Sequence, residues 1–483
     1  MCYMDKSIDE IRKALDAQTV TSDTLFQESV SLAKQYQPTY NAFVTILEEK
    51  KEENTSTILS GIPYALKDNI STKGILTTSS SNILKNYVPV YNATVYEKLE
   101  RAGAVLMGKT VLDELAMGGT GTTGHTGIVK NPWDDTRQIG GSSAGSAAAV
   151  ALGIVPFAIG SDTGDSIRKP AAFGGIVGFK PTYGRVSRYG LFAFASSLDH
   201  VGCFARNVKD IAYVTDIIKG EDPHDMTSLP DDNKKYTDTL DHDIKGRKLF
   251  YIKEAFENYE NSDNLEYKET ISKFLETVEK VRELGFVVEE VSFPKELLNA
   301  VYPTYMAISC AEATSNNANL TGIPFGVRGE GNSINEIMMD ARTKGFSELI
   351  KRRFVLGSYI LQKENQEKLF KNAQRVRRMI VDKMNALFKK YDGLLMPASG
   401  GIAPHFGEKD DQLSDRYLIL ENHLVIANFG GFPSITLPSG FVNEMPIAIN
   451  LTGRQFEDDV VLNMAYKIET ITGCKNQIAK GGK

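Results

Sequence analysis

The chain has 483 residues, 42% hydrophobic and 24% charged, with a formal net charge of −6. This is the composition of an ordinary soluble protein, and its acidic balance argues against a nucleic-acid binder acting alone, because phosphate contacts need clustered Lys and Arg. The longest mostly apolar stretch falls short of the roughly 20 residues that span a bilayer, the start MCYMDKSIDE lacks the apolar core of a signal peptide, and Cys2, Cys203, Cys310 and Cys474 lie too far apart for a disulfide framework or a zinc site, so a cytoplasmic protein is expected.

Residues 6–58 read as helical. Ile8, Ile11 and Leu15 recur about one turn apart, with Ser7 or Asp9 able to cap. From 60 to 220, short apolar runs such as GIPYAL, GAVLMG and GIVPFAIG alternate with helical stretches such as TVYEKLERAG. That alternation predicts strands covered by helices. Residues 221–240 read as a polar surface loop, and 265–285 and 333–390 as helical. Ala373, Val376, Ile380, Met384 and Leu387 share one helix face. The basic clusters Lys351-Arg352-Arg353 and Arg375-Arg377-Arg378 read as solvated helix faces. GLLMP, PSITLP and PIAINL then read as strands. The expectation is an α/β fold with a central mixed, largely parallel twisted sheet and helices on both faces. One domain, 1–483, is expected: a helical N-terminus to about 59, a core of 60–220 completed by 390–470, and a mostly helical insertion at 221–389.

Three glycine-rich motifs compete for the chemistry. GAVLMGKT (103–110) fits a phosphate-loop pattern letter for letter. Its middle residues, however, form an apolar strand, and a helix precedes the first glycine. It reads as a strand, a turn at Gly108 and a helix capped near Thr110. GSSAG (141–145) fits a nucleophile elbow on Ser143. It lacks a strand upstream, and of the six histidines His405 and His423 lie downstream where a base could sit, with no local signature at either. In the third, the apolar run GIVPFAIG leads into SDTGDS and then IRKPAAF. A strand, a tight turn and a helix would let the N–H groups of Thr163, Gly164, Asp165 and Ser166 converge as an oxyanion hole.

Three segments together carry a resemblance: GIPYALKDNIST (61–72), KNPWDDTRQIGGSSAGSAAAVALG (130–153) and GSDTGDSIRKPAAFGGIVGFKPTYGRVSRYG (160–190), followed by SSLDHVG (196–202). The chain resembles the amidase signature family. DELAMGGTGTTG (113–124) and RYGLFAFASSLD (188–199) are similar to the branch that works in tRNA-dependent amidotransfer. The resemblance implies Ser166 as nucleophile, Ser142 as bridging serine after a cis Gly141–Ser142 peptide, and Lys67 as base. It implies glutamine or asparagine as ammonia donor, gripped by Tyr305, Arg353 (Arg352 as near alternative) and Glu421. It also implies B and C partner subunits, with ATP and magnesium used by B, where misacylated tRNA is mainly held. No cofactor or metal is implied in this chain itself. A stand-alone amidase and a catalytically impaired scaffold are the alternatives. Two residues depart from the family pattern: Asp165 stands where a glycine is usual, and Lys169 is unusual before Pro170. An Asp165 side chain could disturb the oxyanion loop, or strain a turn needing φ > 0, unless it pairs with Arg168 or Lys169.

Overall fold

In the computed structural model, which describes residues 2–51, 56–257, 259, 263–407 and 419–479, eleven strands join into one sheet. They are β1 Phe43–Ile46, β2 Pro63–Lys67, β3 Val105–Thr110, β4 Phe157–Asp162, β5 Val177–Lys180, β6 His200–Ala205, β7 Lys248–Ile252, β8 Val287–Val291, β9 Gly393–Pro397, β10 Ser434–Val442 and β11 Met445–Gly453. Their order is β1-β3-β2-β4-β6-β5-β10-β11-β9-β7-β8.

Period-two alternation explains why the central strands are apolar throughout. Tyr64 and Leu66 of β2, with Phe157 and Ile159 of β4, join one core cluster. Ala65 and Ala158, between them, join another with the helix Ala144–Ala151. Successive side chains point to opposite faces, so both faces of the sheet are buried, as the α/β expectation requires.

The sheet is mixed, but its parallel share is smaller than the sequence suggests. Parallel pairing is confined to β3–β2–β4 and β9–β7–β8. Every other neighbour is antiparallel. One cause is local: β10 and β11 form a hairpin whose turn residues Asn443 and Glu444 both have positive φ, the twist a two-residue hairpin favours.

Four further expectations change. The stretch 6–58 carries helices Ile8–Asp16 and Ser22–Tyr40, the first closed by a Ser7–Glu10 capping box. Asn41 then turns left-handed at the C-cap, and the β-rich FVTI becomes β1. The segment 221–389 contains β7 and β8 besides its helices, so the sheet continues through it. Thirdly, GAVLMGKT has no turn at Gly108: β3 runs through it to Thr110, and a short 3₁₀ turn at Glu114–Ala116 follows instead of a helix at Thr110. Gly108 is needed for close approach, since a Cβ there would lie 2.6 Å from the Thr45 carbonyl of β1. Lys109 is buried, donating to the Ile70 carbonyl and Thr77 Oγ1 at 2.8 Å. Finally, Arg353 of the first basic cluster is buried, whereas Arg352 is exposed.

Candidate active site

Lys67 ends β2, and alternation puts it on the Ala65 face, against the helix Ala144–Ala151. The N-terminus of that helix presents Ser142 and Ser143. Lys67 Nζ lies 2.8 Å from Ser142 Oγ, 2.9 Å from Ser143 Oγ and 2.9 Å from Ser161 Oγ at the end of β4. Lys67 is wholly buried. Burial brings its pKa from 10.5 down to about 7, against the opposing pull of Asp113, Asp162 and Asp199.

A neutral amine has two N–H groups and one lone pair. The Ser143 hydroxyl donates to the Ser161 carbonyl at 3.0 Å, and Ser161 Oγ accepts from Asn69 Nδ2 at 3.0 Å. Both oxygens can therefore take an N–H from neutral Lys67. Its lone pair is left for the Ser142 hydroxyl.

The Gly141–Ser142 peptide is cis. A Cβ on Gly141 would fall 1.9 Å from Asp113 Oδ2, so the position takes only glycine. Asp113 is fixed there because its carboxylate accepts the N–H groups of Thr120, Gly121, Thr122 and Thr123 at 3.0–3.2 Å. The glycine-rich 113–124 stretch thus folds around one carboxylate.

The second turn follows β4. Burial alone would raise the Asp162 carboxyl, but the Arg168 guanidinium at 2.9 Å holds it below the usual carboxylate range. Asp162 also accepts the Ile167 N–H at 3.0 Å. Arg168 donates further to the Gly164 carbonyl at 2.8 Å, and the Asp165 carbonyl accepts the Lys169 N–H at 2.8 Å. In a trans peptide the C=O and the following N–H point in opposite directions. These two bonds therefore turn the N–H groups of Asp165 and Ser166 away from the helix Arg168–Gly174. Among the described residues, no acceptor takes the N–H of Gly164, Asp165 or Ser166. Thr163 is anchored by its side chain, which donates to Asp199 at 2.7 Å. Burial raises Asp199 to about 6. Ser166 is buried, and its carbonyl accepts the Ser143 N–H at 3.2 Å, which sets the two serine turns side by side.

Asp165 does not strain the loop, because its φ lies outside the left-handed region. Its carboxylate pairs with Lys169 at 3.2 Å. Arg168, the other candidate partner, is engaged by Asp162.

The three residues expected to grip substrate divide into two groups. Tyr305, on the helix Val301–Asn316, lies against the turn: a Cβ on Gly164 would be 3.1 Å from its Cζ. Arg353, on the helix Glu348–Leu361, is buried, with its guanidinium 5.6 Å from the centroid of the Phe194 ring. Phe194 in turn packs edge-on against Tyr305. Arg353 Nε has no hydrogen-bond partner, and no carboxylate pairs with the guanidinium among the described residues. Glu421 is committed elsewhere: Oε1 accepts the Gly400 N–H at 3.2 Å and Oε2 meets Lys169 at 3.1 Å. A cavity of about 810 Å³ beside these helices, lined by Tyr302, Met306, Ile360, Val376 and Asn422 among others, includes none of Lys67, Ser142 and Ser166.

Neither histidine of the elbow reading meets Ser143. His405 Nδ1 meets Thr136 Oγ1 and His423 Nδ1 meets the Leu420 carbonyl, while Ser143 meets Lys67. No group of three or more His, Cys, Asp or Glu among the described residues is arranged to hold a metal ion. Sequence reasoning missed Ser161, Asn69 and Asp199. The signal for Ser161 was faint: one small polar residue at the end of an apolar strand.

The Amidase family profile matches residues 25–462. The chain is 40% identical over 476 residues to the A subunit of the glutamyl-tRNA(Gln) amidotransferase of Thermoanaerobacter pseudethanolicus, covering 96% of each chain. The crystal structure of the corresponding A subunit, from the glutamyl-tRNA(Gln) amidotransferase of Thermotoga maritima, superposes with a TM-score of 0.82 at 35% identity, over 99% of this chain and 98% of that one. The native peptide amidase of Stenotrophomonas maltophilia superposes at 0.78 with 25% identity, over 97% of each. Likeness to these enzymes extends over nearly the whole chain. The chain belongs to the amidase family.

Proposed function

We propose that this chain is the glutamine-hydrolysing subunit of a cytoplasmic tRNA-dependent amidotransferase. The observation that carries the chemistry is Lys67, wholly buried, with a pKa of about 7 and 2.8 Å from Ser142. The likeness to amidotransferase A subunits carries the biological role.

In this reading neutral Lys67 takes the Ser142 proton while Ser142 takes that of Ser166. Ser166 Oγ bonds to the side-chain amide carbon of glutamine, and the developing oxyanion is met by the N–H groups of the Thr163–Ser166 turn. The carbon–nitrogen bond breaks and the proton held at Lys67 returns through Ser142 to the leaving nitrogen, which departs as ammonia. Water then attacks the acyl ester, losing its proton by the same route, and Ser166 is regenerated. Arg353 takes the substrate carboxylate, and Tyr305 lines the pocket. Ammonia passes to a B subunit that uses ATP and magnesium to activate the misacylated Glu-tRNA(Gln) or Asp-tRNA(Asn), with a C subunit binding both chains.

Acid quenching during turnover and mass spectrometry of the intact chain test the acyl-ester step. A glutamyl adduct on Ser166, absent from Ser166→Ala, is expected. Glutamine turnover with an unmodified Ser166, or an adduct that survives Ser166→Ala, would contradict it. A stand-alone amidase of simple amides shares the fold, but the buried Arg353, with no carboxylate beside it among the described residues, favours a substrate that carries a carboxylate. The Asp165–Lys169 pair argues against an impaired scaffold.

A further inference from the structure

Lys169 Nζ lies 3.2 Å from Asp165 Oδ2, 3.1 Å from Glu421 Oε2 and 3.0 Å from the Glu421 carbonyl. The Lys169 and Glu421 side chains are 8% and 10% exposed, so the contact is shielded from water. Opposite charges at that distance attract more strongly there than at the surface. Arg168 cannot take over from Lys169. Its guanidinium is filled by Asp162, the Gly164 and Leu424 carbonyls and Asn428. One ammonium therefore joins the turn that carries the free N–H groups to the Glu421 carboxylate.

Charge logic makes this contact matter to the reaction. Asp165 supplies an N–H to the proposed oxyanion hole from the same residue that carries a carboxylate. A carboxylate free to turn towards the hole would oppose the negative charge the hole exists to stabilise. Lys169, one helical turn on, keeps it on the helix side of the turn.

We propose that Lys169 is a positioning residue: its ammonium holds the Asp165 carboxylate off the oxyanion site and ties it to Glu421, so that Asp165 and Lys169 function as a pair. The inference rests on the amide-hydrolysis reading above. It gives Asp165 and Lys169, four positions apart, one joint role, and it places Glu421 in a contact with the chain itself.

The experiment is steady-state glutamine hydrolysis by wild type, Lys169→Gln, Asp165→Gly and the double variant, each confirmed folded by its thermal transition. Lys169→Gln is expected to lower kcat by about tenfold or more, the scale of losing part of an oxyanion hole, with a smaller change in KM. Asp165→Gly is expected to cost less kcat than Lys169→Gln, since it keeps the backbone N–H and removes the carboxylate that Lys169 restrains. The double variant is expected to recover most of the kcat lost in Lys169→Gln. A Lys169→Gln enzyme as fast as wild type, or a double variant as slow as Lys169→Gln, would overturn the proposal. The rate of Ser166 labelling by a fluorophosphonate, whose adduct places an oxygen in the same hole, gives a second readout. If wild type hydrolyses no glutamine, the glutaminase reading fails, and labelling decides the pair: slowed in Lys169→Gln and restored in the double variant if the proposal holds, equal in all if it does not.

Discussion

Lys67 gives the most quantitative prediction, a pH profile. A lysine that stays cationic cannot accept a proton from Ser142, so kcat/KM should follow the neutral fraction of Lys67. Burial has brought its pKa from 10.5 to about 7. That shift corresponds to about 5 kcal/mol, disfavouring the charged form. With a midpoint near 7, about nine-tenths of the enzyme is competent at pH 8 and about one-hundredth at pH 5, so kcat/KM should fall about 90-fold between them. The fall should approach tenfold per pH unit on its acid side, with a plateau above pH 8. The assay is ammonia release from glutamine at low substrate concentration, in buffers of constant ionic strength. A Lys67→Met variant should lose about a thousandfold or more in rate, and with it this limb. A profile that keeps rising tenfold per unit to pH 10 would mean Lys67 keeps its ordinary pKa. A flat profile from 5 to 8 would mean it is not the base. Either result refutes the argument from burial.

Three further outcomes follow from the same geometry. Ser161→Ala removes an acceptor from Lys67 and from Asn69; it should slow kcat by about tenfold, the scale of one hydrogen bond, and move the acidic limb below 7, because the charged amine loses more than the neutral one. Arg353→Met should raise KM for glutamine by about a hundredfold through loss of a charge-assisted contact, while the thermal midpoint holds or rises because a buried charge with no carboxylate partner among the described residues is gone; a fall in kcat with unchanged KM would contradict the carboxylate role. Arg168→Ala leaves the buried Asp162 unpaired and should cost about 3–5 kcal/mol in chemical denaturation; a loss below 1 kcal/mol would show that the pair does not hold the turn.

Much of the candidate site was legible because its residues sit in local motifs. Ser142 and Ser166 each stand in a short glycine- and serine-rich pattern and Lys67 closes a short apolar run, and the fold brings these segments together at the ends of β2 and β4. Ser161 and Asn69 lie in the same segments with no spacing that marks them: each becomes part of the site only when β2 and β4 pair and their ends align. The Glu421 position could be counted along the chain, but its partner could not, since Lys169 is 252 residues away. Misreadings of the fold have the same origin. FVTI is too short to announce itself as β1, and β8 hides its alternation behind Glu289 and Glu290. Gly108 looks like a turn residue until β1 packs across it. Pairing across the sheet, unlike a helix face, is not written in sequence spacing.

The most direct test of the account is ammonia release from glutamine, asparagine and a simple amide by wild type and Ser166→Ala, with and without partner subunits. Release selective for the amides that carry a carboxylate, glutamine above all, and abolished by Ser166→Ala, is the predicted result. Equal release from a simple amide without partners would make the chain a stand-alone amidase, and no release from any donor by a folded, partnered enzyme would contradict the catalytic claim itself.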